Sequence, residues 1–205
     1  MCLTITNKNP TKKLSKMVEA SLVGNQEPAS WPRHPLGDLE RVVNAAKTAG
    51  KYLFVWDQQG SVGTFMQYKG KLACLGPEVL GVSLGRKTPA DVAEFIRQAW
   101  IAGQRNGENL CYDCESTTPD FAAYKVDGTF DADIFFDHER MNVRDNFMQY
   151  VREGENHGIG GLNDYDRSNA FGMIIRSGAA NEDDVKACIE KIPLFGSQFQ
   201  HVIFE

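Results

Sequence analysis

Short runs of apolar residues alternate with amphipathic segments from residue 51 onward, and this alternation most constrains the fold. The first run is Tyr52–Trp56, and a glycine-containing turn and a short helix near Ser61–Lys69 follow it. Strand-like residues come next, at 71–75 or 79–84. A strand, a helix and a second strand in this order form a βαβ unit, which predicts a parallel sheet with helices on its faces.

Later segments extend the same pattern. Thr88 is a candidate N-cap, followed by Pro89 at the first helical position and by Asp91 in the first turn, which predicts a helix that continues to Gly103. The other predicted elements are helices after Asp38 and Asn181, weaker helical material at 131–151, and strands at 109–113, 170–176 and 199–204. The predicted fold class is therefore α/β, a three-layer sandwich whose mostly parallel five-stranded sheet is flanked by helices.

A helical N-terminal extension precedes this domain. Residues 1–37 are expected to form a basic helix and a proline-rich linker, and residues 38–205 a single α/β domain. The predicted helix carries apolar residues on one face and lysines beside them: Leu14, Met17, Val18 and Leu22, with Lys12, Lys13 and Lys16. Residues 1–24 have a net charge of +3 and the rest of the chain −8. This arm is either a solvated tail or a binding arm for an acidic protein surface such as a tubulin tail.

Composition excludes several classes of protein. The chain has 205 residues, no run of 18 apolar residues and no apolar or arginine-rich leader at its start, so we expect a cytoplasmic protein without membrane association. An acidic body disfavours nucleic acid as a partner. Five cysteines are an odd number, which favours free thiols over a disulfide framework.

The turn after the first strand is placed as a phosphate-binding loop would be. We identify it as a vestigial nucleotide or anion site, which comprises Asp57, Gln58, Gln59, Gly60, Ser61, Gly63 and Thr64 of the turn together with Asp113. Gly63 stands where the phosphate-binding lysine should precede Thr64. Backbone N–H groups could still hold an anion, but hydrolysis would lack a major electrostatic contribution. We therefore expect no catalytic residue and no cofactor.

The strand at 109–113 ends in residues that only partly fit a magnesium-binding strand. Asp113 fits the role of a metal-binding acid poorly, and a strand-end carboxylate satisfied by hydrogen bonds is the favoured interpretation. In such a strand a second acid activates water, and Glu115 lies one residue beyond the position of that acid. Cys111 and Cys114 form a C-x-x-C pair, but no second such pair supplies the remaining ligands of a zinc site, so no metal site is expected.

Three segments together resemble the degenerate fifth AAA module of dynein heavy chains: 52–60, the helix from Val92 to Gly103, and 110–113. A fourth segment, Asn163-Asp164-Tyr165-Asp166 followed by residues 171–174, resembles another part of that module. The similarity covers residues 51–176 in patches, with Gln58 in place of the usual proline and no counterpart for residues 181–204. The resemblance implies a P-loop-like, AAA-like core that does not hydrolyse nucleotide, in a cytoskeleton-associated protein of a cilium or flagellum.

Three functions follow from these observations. The favoured one is a non-catalytic structural protein that docks to protein partners in a larger cytoskeletal assembly, such as a cilium or axoneme. The second is a nucleotide-binding domain or weak P-loop-like NTPase that uses the turn at 57–64. The third is a small-molecule enzyme on a flavodoxin-like sheet, with its site at the carboxyl ends of the strands.

Overall fold

A parallel sheet forms the centre of the protein. The computed structural model describes residues 27–158 and 160–205. The strands of this part are β1 (Arg33–His34), β2 (Tyr52–Trp56), β3 (Lys71–Cys74), β4 (Asn109–Asp113), β5 (His157–Gly158), β6 (Gly161–Leu162), β7 (Gly172–Ser177) and β8 (Phe199–Phe204). Six of them pair in parallel in the order β1-β8-β2-β7-β4-β3, whereas β5 and β6 form a small antiparallel hairpin.

Helices cover both faces of this sheet. They are α1 (Leu39–Thr48), α2 (Ser61–Lys69), α3 (Leu75–Ser83), α4 (Pro89–Asn106), α5 (Ala132–Phe135), α6 (Arg144–Met148), α7 (Glu182–Glu190) and α8 (Phe195–Gln198). The apolar residues of α1 and α2 share one buried cluster, and those of α4 and α7 share another on the opposite face. The predicted α/β class with helices on both sides of a parallel sheet is confirmed.

Helix α4 begins where the sequence pattern predicts and extends to Asn106, three residues beyond the predicted end at Gly103. The Asp91 N–H donates to Thr88 Oγ1 at 3.2 Å, and the Thr88 N–H donates to Asp91 Oδ2 at 2.7 Å, which completes a capping box. Gly107 ends the helix in the left-handed region, with φ of +70°. Asn181 caps α7 in a similar way, since its Oδ1 accepts the Asp184 N–H at 3.0 Å.

The segment before α1 differs from the predicted linker. Pro28 and Trp31 are buried, and Arg33–His34 pairs with β8 as a sixth strand at the edge of the sheet. Prolines end this strand after two residues because they lack an N–H donor, and a two-residue edge strand has no periodic signal in the sequence. The five-stranded prediction therefore missed β1.

Two smaller predictions also need correction. Asp38 does not cap α1 with its side chain, because its Oδ2 accepts a hydrogen bond from Arg41 at 2.7 Å instead. Residues 79–84 are helical within and just after α3, so the first of the two alternatives, near Lys71–Cys74, is the strand. Glycine and proline near the start of α3 concealed its periodicity.

The binding arm lies outside the described residues. This applies to Lys12, Lys13, Leu14, Lys16, Met17, Val18 and Leu22, and to the predicted helix and C-cap around them. Within residues 27–158 and 160–205, no helix combines the length and the apolar character needed to cross a membrane.

A long connection between β4 and β7 packs as an aromatic layer against α4. Trp100 of α4 lies 5.0 Å from the ring of Phe135, which in turn lies 4.6 Å from that of Tyr150. The guanidinium of Arg97 is fully buried here and binds Glu94 and Glu155. The weak periodicity at 131–151 corresponds to the short helices α5 and α6, joined by turns.

Candidate functional site

The turn after β2 lies at the switch point of the sheet. Neighbouring strands β2 and β7 continue into α2 and α7, which pack on opposite faces, so a crevice is expected between the carboxyl ends of these two strands. Asp57 follows β2 directly, and Arg176 and Ser177 end β7. This edge of the sheet is therefore the candidate site.

Asp57 closes the N-terminus of α2 with its own carboxylate. Its Oδ1 accepts the N–H of Gly60 at 3.0 Å and both the N–H and the hydroxyl of Ser61, at 3.3 and 3.2 Å. Its Oδ2 accepts the N–H of Val62 at 2.8 Å. Gly60 adopts φ of +77°, which allows the turn to fold back over the carboxylate. The amide groups that would cradle a phosphate thus already bind an anionic group of the chain.

Arg176 binds this carboxylate from the other side. Its Nε donates to Asp57 Oδ2 at 3.0 Å, its Nη2 to the Asp57 carbonyl at 2.6 Å, and its Nη1 to Asp113 Oδ1 at 2.7 Å. Burial disfavours the charged guanidinium, but Asp113 and Asp57 outweigh it and raise the pKa of Arg176. Arg176 consequently links the ends of β2, β7 and β4 as a permanent cation.

Asp113 is a carboxylate satisfied by hydrogen bonds within the domain, as the favoured interpretation predicted. Besides Arg176, its Oδ1 accepts the N–H of Glu115 at 2.9 Å. The carbonyl of Glu115 accepts the N–H of Gly178 at 2.6 Å, so the loops after β4 and β7 are joined. Glu115 adopts a left-handed φ of +52°, a backbone conformation that these contacts hold.

Gly63 leaves little room for the side chain that a phosphate-binding loop needs. A Cβ at this position would lie 2.8 Å from Asp113 Oδ2, closer than real Cβ atoms approach oxygen. A lysine here would therefore require the Asp113 carboxylate to move. The absence of a lysine at position 63 therefore leaves room for the Asp113 carboxylate that binds Arg176.

The other residues of the predicted turn have structural contacts or face solvent. Gln58 donates from Nε2 to the Ala180 carbonyl at 2.7 Å, and Thr64 donates from Oγ1 to the Gly60 carbonyl at 3.1 Å. Gln59 is exposed. The structure brings the turn and Asp113 together, because Arg176 binds both Asp57 and Asp113.

Arg176 is the site residue that sequence reasoning missed. The strand at 170–176 was predicted, but its last residue was not assigned a partner. A signal was present, because a charged side chain in a strand whose other residues are apolar must find an opposite charge if the strand is central. The partner could not be named, since Asp57 is 119 residues away.

The C-x-x-C pair does not form a binding site. Cys111 packs in the cluster under α1 and α2, whereas Cys114 packs in the cluster on the opposite face. Cys114 instead neighbours Cys188, and the hydrogen bond between the two thiols lowers the pKa of Cys188 and raises that of Cys114. In the described part of the chain, no group of three histidine, cysteine or acidic side chains is arranged to hold a metal ion.

Comparison of the chain with protein-family models, with curated proteins and with solved structures finds no match. The resemblance to the dynein module therefore stays a prediction from sequence pattern.

Proposed function

We propose that this protein is a non-catalytic interaction protein whose α/β domain serves as a docking block in a larger assembly. One observation carries the proposal: the carboxylate of Asp57 occupies the amide groups at the N-terminus of α2. A nucleotide phosphate at this turn would have to displace a carboxylate that Arg176 also binds. The geometry thus favours a structural role for the turn.

The resemblance in sequence pattern supports a cytoskeletal assembly, such as that of a cilium or axoneme, as the setting. The basic arm at residues 1–24 is then the candidate contact to an acidic protein surface, since its sequence contains four lysines and one glutamate. Both statements extend the proposal and rest on the sequence.

The nucleotide-binding alternative keeps one favourable observation, the position of the turn at the switch point of the sheet, where α/β proteins bind ligands. Thermal unfolding of the full chain with Mg-ATP, Mg-ADP and Mg-GTP separates the two functions. We expect no change in the midpoint, because a ligand stabilises the native state only if it binds there. A saturable rise in the midpoint would overturn the non-catalytic proposal.

Substitution of Asp57 adds a matched arm to this experiment. Asp57→Ala removes the internal anion and exposes the amide groups of Gly60 and Val62, so a phosphate-dependent rise in midpoint in this variant alone would identify Asp57 as the group that blocks the turn. A Gln59→Ala variant serves as control, because Gln59 is exposed.

The docking arm is tested by co-sedimentation of the full chain with microtubules that carry or lack their acidic tails. We expect tail-dependent binding that the double variant Lys12→Glu/Lys13→Glu abolishes. The double variant Lys69→Glu/Arg86→Glu makes the same change in charge on exposed residues of the domain and should keep binding. Equal loss in both double variants, or no binding, would reject the arm as a site for this partner.

A further inference from the structure

A second polar cleft lies far along the chain from the turn at 57–64, in the connection between β4 and β7. Its volume is about 340 Å³, and its lining residues are Asn142, Arg144, Phe147, Asp166, Arg167 and Asn169. Two guanidinium groups and two amides are hydrogen-bond donors, the single carboxylate of Asp166 is an acceptor, and one aromatic ring adds an apolar wall. The composition of the cleft suits an anionic ligand better than a cation.

Arg167 is a partly buried cation without an anionic partner. Its Nε is buried and has no hydrogen-bond acceptor among residues 27–158 and 160–205, and no carboxylate of this part of the chain lies within salt-bridge distance of its guanidinium. The guanidinium carbon lies 5.6 Å from the centre of the Phe171 ring. A cation–π contact compensates part of the cost of burying the charge, but leaves the buried Nε–H without an acceptor in this part of the chain.

The titratable neighbours of Arg167 do not supply the missing charge. Burial lowers the pKa of Arg167, and among the described residues the phenols of Tyr52 and Tyr165 counteract this. Burial raises the pKa of both phenols, so they remain neutral at physiological pH. The guanidinium is thus held in a site that would favour an added negative charge.

Arg144 contributes a second guanidinium group to the same cleft. Its Nη1 donates to the Tyr165 carbonyl at 2.8 Å and lies 3.3 Å from Asp166 Oδ1. The side chains of Arg144 and Asp166 are 51% and 77% exposed, so this ion pair is weak and its geometry can adjust. Asp166 Oδ1 accepts the main-chain N–H of Arg167 at 2.8 Å, which holds the two arginines near each other.

From these contacts we propose that the cleft binds a compact oxyanion, a carboxylate or a phosphate group, between the guanidinium groups of Arg167 and Arg144. Planar guanidinium groups match both kinds of oxyanion through paired hydrogen bonds. The asparagines at the rim add neutral donors. This proposal is independent of the proposed function, because it concerns different residues and a different edge of the domain.

The test is titration of the full chain, labelled with ¹⁵N, with inorganic phosphate and, separately, with succinate at constant ionic strength. The signal of the Arg167 Nε–H group is observed directly and is assigned by its loss in Arg167→Lys. We expect a saturable shift of this signal and a rise in the thermal midpoint with one or both anions. If only phosphate or only succinate produces these effects, that anion identifies the class of ligand.

Matched variants distinguish a built site from general attraction. Arg144→Gln should weaken binding by about tenfold, since it removes a charged hydrogen bond. Arg86→Gln removes an exposed arginine outside the cleft and should change affinity less than twofold. The proposal is overturned if the Arg167 signal does not saturate, if sodium chloride produces the same shift, or if Arg86→Gln weakens binding as much as Arg144→Gln.

Discussion

Arg176 and Asp57 are joined twice, through a side-chain contact of 3.0 Å from Nε to Oδ2 and a contact of 2.6 Å from Nη2 to the Asp57 carbonyl. The same carboxylate caps α2, so one pair of residues connects a helix N-terminus to two adjacent strands. Removal of either partner would leave a buried group unpaired. We therefore expect a substitution of either residue to destabilise the domain.

Substitution of Asp57 by asparagine should lower the free energy of unfolding by about 3 kcal/mol. The amide keeps the size of the side chain but removes the charge that Arg176 needs at a position that is fully buried. Urea-induced unfolding followed by circular dichroism measures the change.

The matched control is Asp127→Asn, which makes the same chemical change at an exposed position. We expect it to alter the free energy of unfolding by less than about 0.5 kcal/mol. Equal effects of the two substitutions would show that the buried ion pair does not contribute to stability in the way argued.

The Arg97 cluster predicts a dependence of stability on pH. Hydrogen bonds from Arg97 hold the pKa values of Glu155 and Glu94 below the ordinary value of 4.5. In the unfolded chain these carboxylates take up protons near that ordinary value, so their contribution is complete above it and is lost as the pH falls toward the lower folded-state pKa. We therefore expect the free energy of unfolding to decrease from about pH 4.5 downward.

Glu155→Gln should make this decrease less steep and should also destabilise the protein at pH 7 by about 2 kcal/mol, because the fully buried Arg97 loses a charged acceptor. Chemical unfolding at a series of pH values measures both effects. Glu153→Gln, at an exposed neighbouring position, should reproduce the wild-type slope. A wild-type slope in Glu155→Gln would contradict the assignment.

Removal of the N-cap of α4 should change the free energy of unfolding less than the substitutions of Asp57 and Glu155 do. Thr88→Ala deletes the oxygen that accepts the Asp91 N–H and should lower the free energy of unfolding by about 1 kcal/mol. Thr48→Ala is a suitable comparison, because the Thr48 hydroxyl donates to the Asn44 carbonyl inside α1 and caps nothing. We expect the thermal midpoint of Thr88→Ala to lie below that of Thr48→Ala. The reverse order of midpoints would argue against a stabilising role of the capping box.

Thiol reactivity tests the placement of the cysteines. Cys74 is exposed, whereas Cys111, Cys114 and Cys188 are buried. In a Cys2→Ser background, a thiol reagent such as Ellman's should therefore modify Cys74 in the native state and the three others at the rate of unfolding. Burial also raises the pKa of Cys74, so its rate should continue to increase above pH 9.0. Rapid modification of Cys111 or Cys114 in the native state would contradict the burial of these thiols.

Local signals in the sequence were sufficient for much of the domain. Runs such as Tyr52–Trp56, the capping box at Thr88 and the cap at Asn181 depend on residues within one helical turn or one strand, so each could be recognised without its neighbours in space. The two-residue strand Arg33–His34 was missed because its only signal is its partner β8.

By itself the sequence determined the α/β alternation, the helix caps and the absence of a lysine at Gly63, since these are matters of spacing and residue type. Only the tertiary structure decided that Asp57 fills the N-terminus of α2 and that Arg176 binds it. The physical reason is strand order: β7 lies beside β2 because the chain returns to the centre of the sheet after β3 and β4. That return places residues 119 positions apart within hydrogen-bond distance, and no local pattern encodes it.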